Sequence, residues 1–392
     1  MTCGYTAEIM DTFQRYHQAI DFLEGLSNLP LEKDYMRDQS DPSLYLKRMR
    51  YFLGLLGNPD RRFKFVHITG TAGKGTVTTM VHEILQASGK KVGSFTSPFV
   101  TTSIEKIRVG KKYIAPDELA DIVDYLKPFL DRAYAQGPYG RPSYFELFLA
   151  IAFVYFRRQH CEWVVLEVGA GGRYDATNVI ERPLVTAITN IDYDHVELLG
   201  HTLKQIGFDK AGIIKKGSVF FTAEQRPALV RMFQKICDEQ KVTLHQIQRI
   251  HETTERYQAY KKAHAETIEG YIGILKKDIK KGIACTRLQC RFEIMQEKPL
   301  VILDGAHNRA KIRSTLENLK QLNFRKLYLI IGTADNKDKV SMLEQIIPLA
   351  DHVFMTRFEI KDRKCAHPKE LRVLSQKYLK RGAIIEMFLD PE

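Results

Sequence analysis

Along the chain, short runs of consecutive apolar residues alternate with longer segments in which apolar residues recur every three or four positions. Unbroken apolar runs suit strands buried on both faces, and the 3.6-residue period suits helices with one buried stripe. The pattern predicts strands over residues 63–69, 91–95, 163–168, 184–188 and 218–222, and helices over 76–88, 116–135, 143–158, 202–214 and 227–240. Strand and helix in alternation make a mainly parallel sheet covered by helices, an α/β fold. Residues 247–281 are polar, lysine-rich and mostly helical in pattern, and short strands restart at 299–303, 326–331 and 352–356. That restart sets a domain boundary near Ala284, with a larger domain over residues 1–283 and a smaller one over 284–392.

Composition narrows the class of molecule. The 392 residues are 44% hydrophobic and 27% charged, as in an ordinary globular protein. The net charge of +12 suits an anionic partner or plain solubility. The basic residues are spread along the chain, with no zinc-finger spacing, RNP-like aromatic pattern or dense basic helix, so no nucleic-acid partner is expected. A nucleotide and a polycarboxylate substrate account for the excess equally well. Six cysteines without a C-x-x-C pair predict reduced thiols and a cytoplasmic location. The first residues lack the apolar stretch of a secretory signal. The longest apolar run, 147–156, is about half what a membrane span needs, so no membrane partner is expected.

Four polar loops follow predicted strands, where open α/β sheets bind ligands. The first holds Gly70, Thr71, Ala72, Gly73, Lys74, Gly75 and Thr76 between a strand and a helix N-terminus. Its glycines let backbone N–H groups close on phosphate oxygens, the helix dipole adds positive potential, and Lys74 supplies a mobile charge. The bland reading, a tight turn with an incidental lysine, explains fewer of these residues. The loop is not a standard Walker A sequence, because Gly75 intervenes between Lys74 and Thr76. The second loop, 166–178, is glycine-rich and polar. The third, 189–195, ends in His195, a residue type that alone is more often structural than a ligand. The fourth ends the strand at 300–303 with Asp304, His307 and Asn308, which ordinary capping would also explain. Lys210 lies on a predicted helix, where an isolated lysine is usually solvated. Glu146, in an apolar helix, needs a partner, and a metal would serve.

Together these segments resemble the folylpolyglutamate synthase/dihydrofolate synthase family of the Mur ligase superfamily. Its G-T-x-G-K-G-[ST] loop is matched by residues 70–76. Further matches are Leu56-Gly-Asn-Pro59, Ser97-Pro98, Glu105-Lys-Ile107, Tyr144-Phe-Glu146, residues 166–178, Asp194-His195, Lys210-Ala-Gly-Ile213 and residues 303–308. The resemblance implies a P-loop-type N-terminal domain and a smaller Rossmann-like C-terminal one, with ATP in the cleft between them. Residues 70–76, Arg291 and Asp304 would bind ATP. Ser97, Glu146, His195 and Lys210, the last as a carbamate, would hold Mg2+, and a monovalent cation is a further implied cofactor. Lys74, His195 and Lys210 would be the catalytic residues.

The implied reaction is ATP-dependent addition of L-glutamate to a folate or dihydropteroate carboxylate through an acyl phosphate. Another ligase of the superfamily, or a degenerate nucleotide-binding protein, is the alternative. The sequence departs from the family at Ala72, where asparagine is usual, at Phe99 for histidine, at Lys261 for asparagine and at Cys290 for glycine. The stretch from Gly217 to Tyr257 is shorter than in relatives. The sequence ends at Glu392, before the family's closing helix and strand. A monomer is expected, with the sheet edge at 384–388 as the place where a second chain would pair. That short end predicts retained ATP binding with low turnover.

Overall fold

The computed structural model describes residues 3–25, 42–247, 274–359 and 364–389. Lys261 and most of the segment 247–281 lie outside the described residues. The described chain forms two compact units, one ending at Arg287 and the other beginning at Leu288.

In the first unit, α1 (Cys3–Gly25) and α2 (Leu44–Leu55) precede β1 (Lys64–Thr69) and α3 (Lys74–Ala87). Then follow β2 (Val92–Phe95), β3 (Ile107–Val109), β4 (Lys112–Tyr113), α4 (Pro116–Gln136), α5 (Tyr144–Arg158) and β5 (Trp163–Glu167). The unit continues with β6 (Val185–Ile188), α6 (Val196–Leu199), α7 (Leu203–Lys210), β7 (Val219–Thr222), α8 (Pro227–Gln240), β8 (Thr243–Gln246) and α9 (Lys276–Cys285). One eight-stranded sheet runs in the order β4-β3-β2-β5-β1-β6-β7-β8. Strands β2, β5, β1, β6, β7 and β8 are parallel, and β3 and β4 add an antiparallel edge.

The two-residue period of the strands divides their side chains between two cores. Phe65, Phe95, Val164 and Leu166 face a cluster built with α4 and α5. Val66, Ile68, Val92 and Val165 face the opposite one, built with α3 and Ile279 of α9. Helix α5 is buried without a break from Glu146 to Phe156, which explains its nearly continuous apolar sequence. Helix α9 approaches α3 so closely that a Cβ on Gly282 would stand 2.4 Å from Ile84 Cα. Because β1 lies between β5 and β6, the loops leaving β1, β2, β5 and β6 emerge along one carboxyl edge.

In the second unit, β9 (Glu293–Glu297) and β10 (Leu300–Leu303) form an antiparallel pair. Strands β11 (Tyr328–Ile331), β12 (His352–Met355) and β13 (Ile384–Met387) form a parallel sheet, with β13 an outer strand among the described residues. Helices α10 (Arg309–Leu319), α11 (Lys339–Ile346) and α12 (Pro368–Ser375) cover it over a core that includes Ile312, Leu343, Val353, Met355 and Leu371. The fold is α/β in both units, as the apolar pattern predicts.

Several elements differ from the pattern. The helix expected over 202–214 stops at Lys210 and tightens into a 3-10 turn, Ala211–Ile213. There Gly212 meets the backbone of Arg173, with only 2.5 Å between a built Cβ and Arg173 Cα. The antiparallel strands β3, β4 and β9 carry too few apolar residues to stand out, with four of five positions of β9 exposed.

Candidate active site

The glycine loop joins β1 to the N-terminus of α3, and its neighbours explain its glycines. Gly70 (φ 148°) passes so close to β6 that a Cβ there would lie 1.8 Å from Thr189 Oγ1. Gly73 caps α3 in the left-handed region, at φ 84°. The loop after β6 holds it in place. Thr71 N donates to Asn190 O at 2.9 Å, Ala72 N to Asn190 Oδ1 at 2.9 Å, and Thr189 Oγ1 to Ala72 O at 2.7 Å. Lys74 Nζ donates to Gly70 O at 3.0 Å, which keeps its ammonium over the loop. Thr76 is buried in the first turn of α3.

The expected metal ligands separate into two groups. Among the described residues the Glu146 carboxylate is bound by Arg48 and the Ser143 amide, not by the glycine loop. Arg48 Nη2 lies 2.7 Å and Nε 3.1 Å from Glu146 Oε2, and Ser143 N donates to the same oxygen at 2.7 Å. Glu146 thus closes the capping box of α5 and neutralises a buried guanidinium, which meets its need for a partner without a metal. The carboxylate brought to the glycine loop is Glu167, the last residue of β5. Its Oε2 accepts from Ser97 N at 3.1 Å and stands 3.2 Å from where a Gly75 Cβ would be. Sequence reasoning passed over Glu167, although an acid ending a buried strand directly before a glycine-rich loop was the available signal.

Residues 168–178 wrap the third side. Thr69 Oγ1 donates to Gly171 O at 2.6 Å, and Arg173 N donates to Asp209 O at 2.9 Å. A Cβ at Gly172 would stand 2.7 Å from Lys210 O, so this loop and the segment Lys210–Ile213 interlock through small residues. Asp175 is half-buried and accepts from Thr177 N at 2.9 Å, Thr177 Oγ1 at 2.5 Å and Ala170 N at 3.0 Å. Burial raises its carboxyl above the usual range, against the pull of those donors. His67 is held neutral, its pKa lowered to about 3 by burial and secondarily by Lys215. Its Nε2 lies 2.8 Å from Thr177 Oγ1.

Lys210 is buried at the end of α7. Burial first, then the charge of Lys74, lowers its pKa to about 7, while Asp209, Asp194 and Asp175 oppose the shift. The fold therefore puts Lys210 within electrostatic reach of the glycine-loop lysine. His195 caps the short α6 with φ 49°, half-exposed, and its Nε2 lies 4.0 Å from Asp194 Oδ1. In the second unit Arg291 and Asp304 sit together at the β9–β10 pair. Arg291 Nη1 donates to Cys290 O at 3.0 Å, and Asp304 accepts from Phe292 N and Ala306 N, both at 2.8 Å. His307 lies 2.9 Å from Lys311, and Asn308 caps α10 through Lys311 N.

Comparison with known proteins gives this geometry its context. Residues 290–387 match the model of the Mur ligase glutamate ligase domain. The dihydrofolate synthase/folylpolyglutamate synthase of Bacillus subtilis is 29% identical over 354 residues, 80% of this chain and 81% of that protein. A solved folylpolyglutamate synthase of Mycobacterium tuberculosis, complexed with ADP and AMPPCP, superposes with a TM-score of 0.81 at 25% identity, over 88% of this chain and 85% of that one. Over most of its length the chain is similar to members of the folylpolyglutamate synthase/dihydrofolate synthase family. A bifunctional enzyme of this family, solved with Mn, AMPPNP and L-glutamate bound, superposes with a TM-score of 0.75 at 26% identity, covering 88% and 85% of the two chains. No helix among the described residues is long and apolar enough to cross a membrane.

Proposed function

We propose that the chain is an ATP-dependent amide ligase that joins L-glutamate to the carboxylate of a folate or dihydropteroate. The observation behind this reading is the meeting, on one carboxyl edge, of the Gly70–Thr76 loop, the Ser97–Glu167 contact and a buried lysine at 210. A substrate carboxylate oxygen attacks the γ-phosphorus of ATP and ADP leaves, giving an acyl phosphate. The amine of glutamate then attacks the acyl carbon, phosphate leaves, the amine loses a proton and an amide remains. Residues 70–76 and the N-terminus of α3 would bind the phosphates, and Lys74 would neutralise charge on the transferring group. Arg291 and Asp304 are assigned to ATP in the second unit, residues 288–392.

The donor set suits a hard divalent cation, because the Glu167 carboxylate stands beside the phosphate loop and the Ser97 hydroxyl would add a second oxygen from the residue whose N–H it accepts. We assign Glu167 and Ser97, with His195 and Lys210 as a carbamate, to Mg2+, and Glu146 to structure. When bound, the ion supplies Lewis-acid polarisation of phosphoryl oxygens. A neutral Lys210 amine takes up CO2 to give a carbamate and a proton, which converts a cation into an oxygen ligand. A monovalent cation belongs to the same reading, as do a cytoplasmic location and a monomeric state.

The test is ATP turnover by the purified protein with glutamate and, in parallel, dihydropteroate, a reduced folate, a cell-wall precursor or no acceptor. Turnover with either of the first two is expected, and their ratio gives the preference. Turnover only with the cell-wall precursor would make it another superfamily ligase. ATP binding without turnover on any acceptor would leave a degenerate nucleotide-binding protein.

A further inference from the structure

The glycine loop is braced by the segment after β6, and that segment is braced in turn from β7. Asn190 O and Oδ1 accept from Thr71 N and Ala72 N, and Thr71 Oγ1 donates to Asp192 O and accepts from Asp192 N, all at 2.9 Å. Ile191, between them, bonds the other way. Its N donates to Glu224 Oε2 at 3.0 Å, and its O accepts from Arg226 Nη1 at 2.6 Å. Alternate residues of the segment thus bond to opposite neighbours, as in a strand lying between two others. The sheet order β1-β6-β7 puts those neighbours in place, but on the β7 side two side chains do what a backbone would do.

Glu224 is 5% exposed, and the entry to α8 explains only one of its two oxygens. Oε1 accepts from Gln225 N at 3.0 Å and Arg226 N at 2.9 Å, the bonds of an ordinary turn leading into a helix. Oε2 is turned away to Ile191 N, and lies 3.3 Å from Arg226 Nη1. The backbone of the acid is itself fixed. Glu224 N donates to Thr222 Oγ1 at 3.2 Å, and Glu224 O accepts from Gln246 Nε2 at 2.9 Å. Ile191 is packed in the core with Ile206 and Phe220, so the side chains of β7's loop grip a residue that is already anchored.

We propose that Glu224 is a positioning residue for the nucleotide: it holds Ile191, and through Asn190 and Asp192 it holds the backbone of Thr71 and Ala72 in the binding arrangement. The inference rests on the ligase reading for the nucleotide that the loop takes. Without the carboxylate, Ile191 N loses its acceptor and Arg226 its counter-charge. The loop after β6, and the glycine loop bonded to it, then populate other arrangements. Nucleotide affinity falls by the fraction of molecules left in the binding arrangement, whereas a loop already closed on nucleotide works as before. Charge alone predicts the opposite sign, because removing an acid draws an anion more strongly.

Titration of the full-length protein with ADP in EDTA, and with a non-hydrolysable ATP analogue and Mn2+, tests this. Glu224→Ala should weaken both about tenfold, and Glu224→Gln, which keeps one acceptor for Ile191 N, about threefold. Asn190→Ala should weaken binding too, and adding it to either Glu224 variant should cost less than about twofold more, since both act through one loop. Unchanged affinity in the Glu224 variants overturns the inference. So does a loss seen only with Mn2+, which would make the acid a metal ligand, and so do losses that multiply in the double variant. Where Glu224→Ala does not fold, Glu224→Gln decides by the same criteria. In turnover, KM for ATP should rise in Glu224→Ala while kcat at saturating ATP stays within about twofold; a lower kcat at unchanged KM would overturn positioning. A protein inactive on every acceptor whose ADP affinity depends on Glu224 would refute the ligase reading and keep this one. An active ligase with wild-type ADP affinity in Glu224→Ala would do the reverse.

Discussion

Exchanging one acid for its amide at two positions separates structure from chemistry in this site. Glu146 is 1% exposed and Arg48 8%, and their contacts of 2.7 to 3.1 Å leave both charges paired away from water. Glu146→Gln keeps the shape and some hydrogen bonds but leaves the guanidinium unneutralised. Removing one partner of a buried pair costs about 3–5 kcal/mol, and a weakened capping box adds to this. With about 2–4 °C per kcal/mol for a unit of this size, Tm should fall by roughly 10 °C. Glu167→Gln removes a charge beside the phosphate loop, so stability should change by no more than about 1 kcal/mol, or about 2–4 °C in Tm. Its affinity for Mn2+ with a non-hydrolysable ATP analogue should drop tenfold or more, about 1.4 kcal/mol. Calorimetric melting and titration with Mn2+ give both numbers for both variants. If Glu146→Gln melts like wild type and loses the metal while Glu167→Gln retains it, the assignment of the two acids is reversed.

Lys74→Ala should lower kcat by about a hundredfold, as loss of a charge contact made in the transition state typically does, and unchanged turnover would remove the loop from the mechanism. Lys210, with its pKa lowered to about 7, is substantially neutral at pH 7.5 and more so as pH rises. Carbamate formation, and turnover with it, should therefore increase from pH 6.5 to 8 at fixed CO2. Turnover should fall in bicarbonate-depleted buffer; indifference to bicarbonate together with full activity of Lys210→Ala would refute the carbamate. Gly70→Ala forces a methyl against Thr189 Oγ1 and an unfavourable φ, so ATP-analogue affinity measured by titration should fall at least tenfold.

The interior of the fold was legible because its strands are buried on both faces. Trp163–Glu167 and Val185–Ile188 are fully buried, and unbroken apolar runs of this kind can be read without knowing their neighbours. The periphery was harder. Strands β3 and β4 hold five residues between them, three and two, and owe their existence to pairing, β3 with β2 and β4 with β3, rather than to their own pattern. The pattern over 202–214 predicts a longer helix than α7, because its end at Lys210 is set by Gly212 packing against Arg173, a contact between distant loops. The loops at the carboxyl edge were readable as a group, since each follows a strand and carries polar residues that a core would reject.

Glu146 and Glu167 show where local reading stops. Both acids stand in apolar sequence, and the physical demand is the same for each: a buried carboxylate needs a compensating partner. For Glu146 that partner is Arg48, 98 residues away in sequence, and the Ser143 amide next to it. A helical acid at the third position after serine carries a capping signal in its own sequence, so the bland explanation was available for it. Glu167 has no such local explanation. It ends a strand at the carboxyl edge of the sheet, and its Oε2 accepts from Ser97 N on the neighbouring strand's loop. Of two buried acids, the one whose own turn already satisfies it is the poorer candidate for chemistry, and the one left to a loop from another strand is the better.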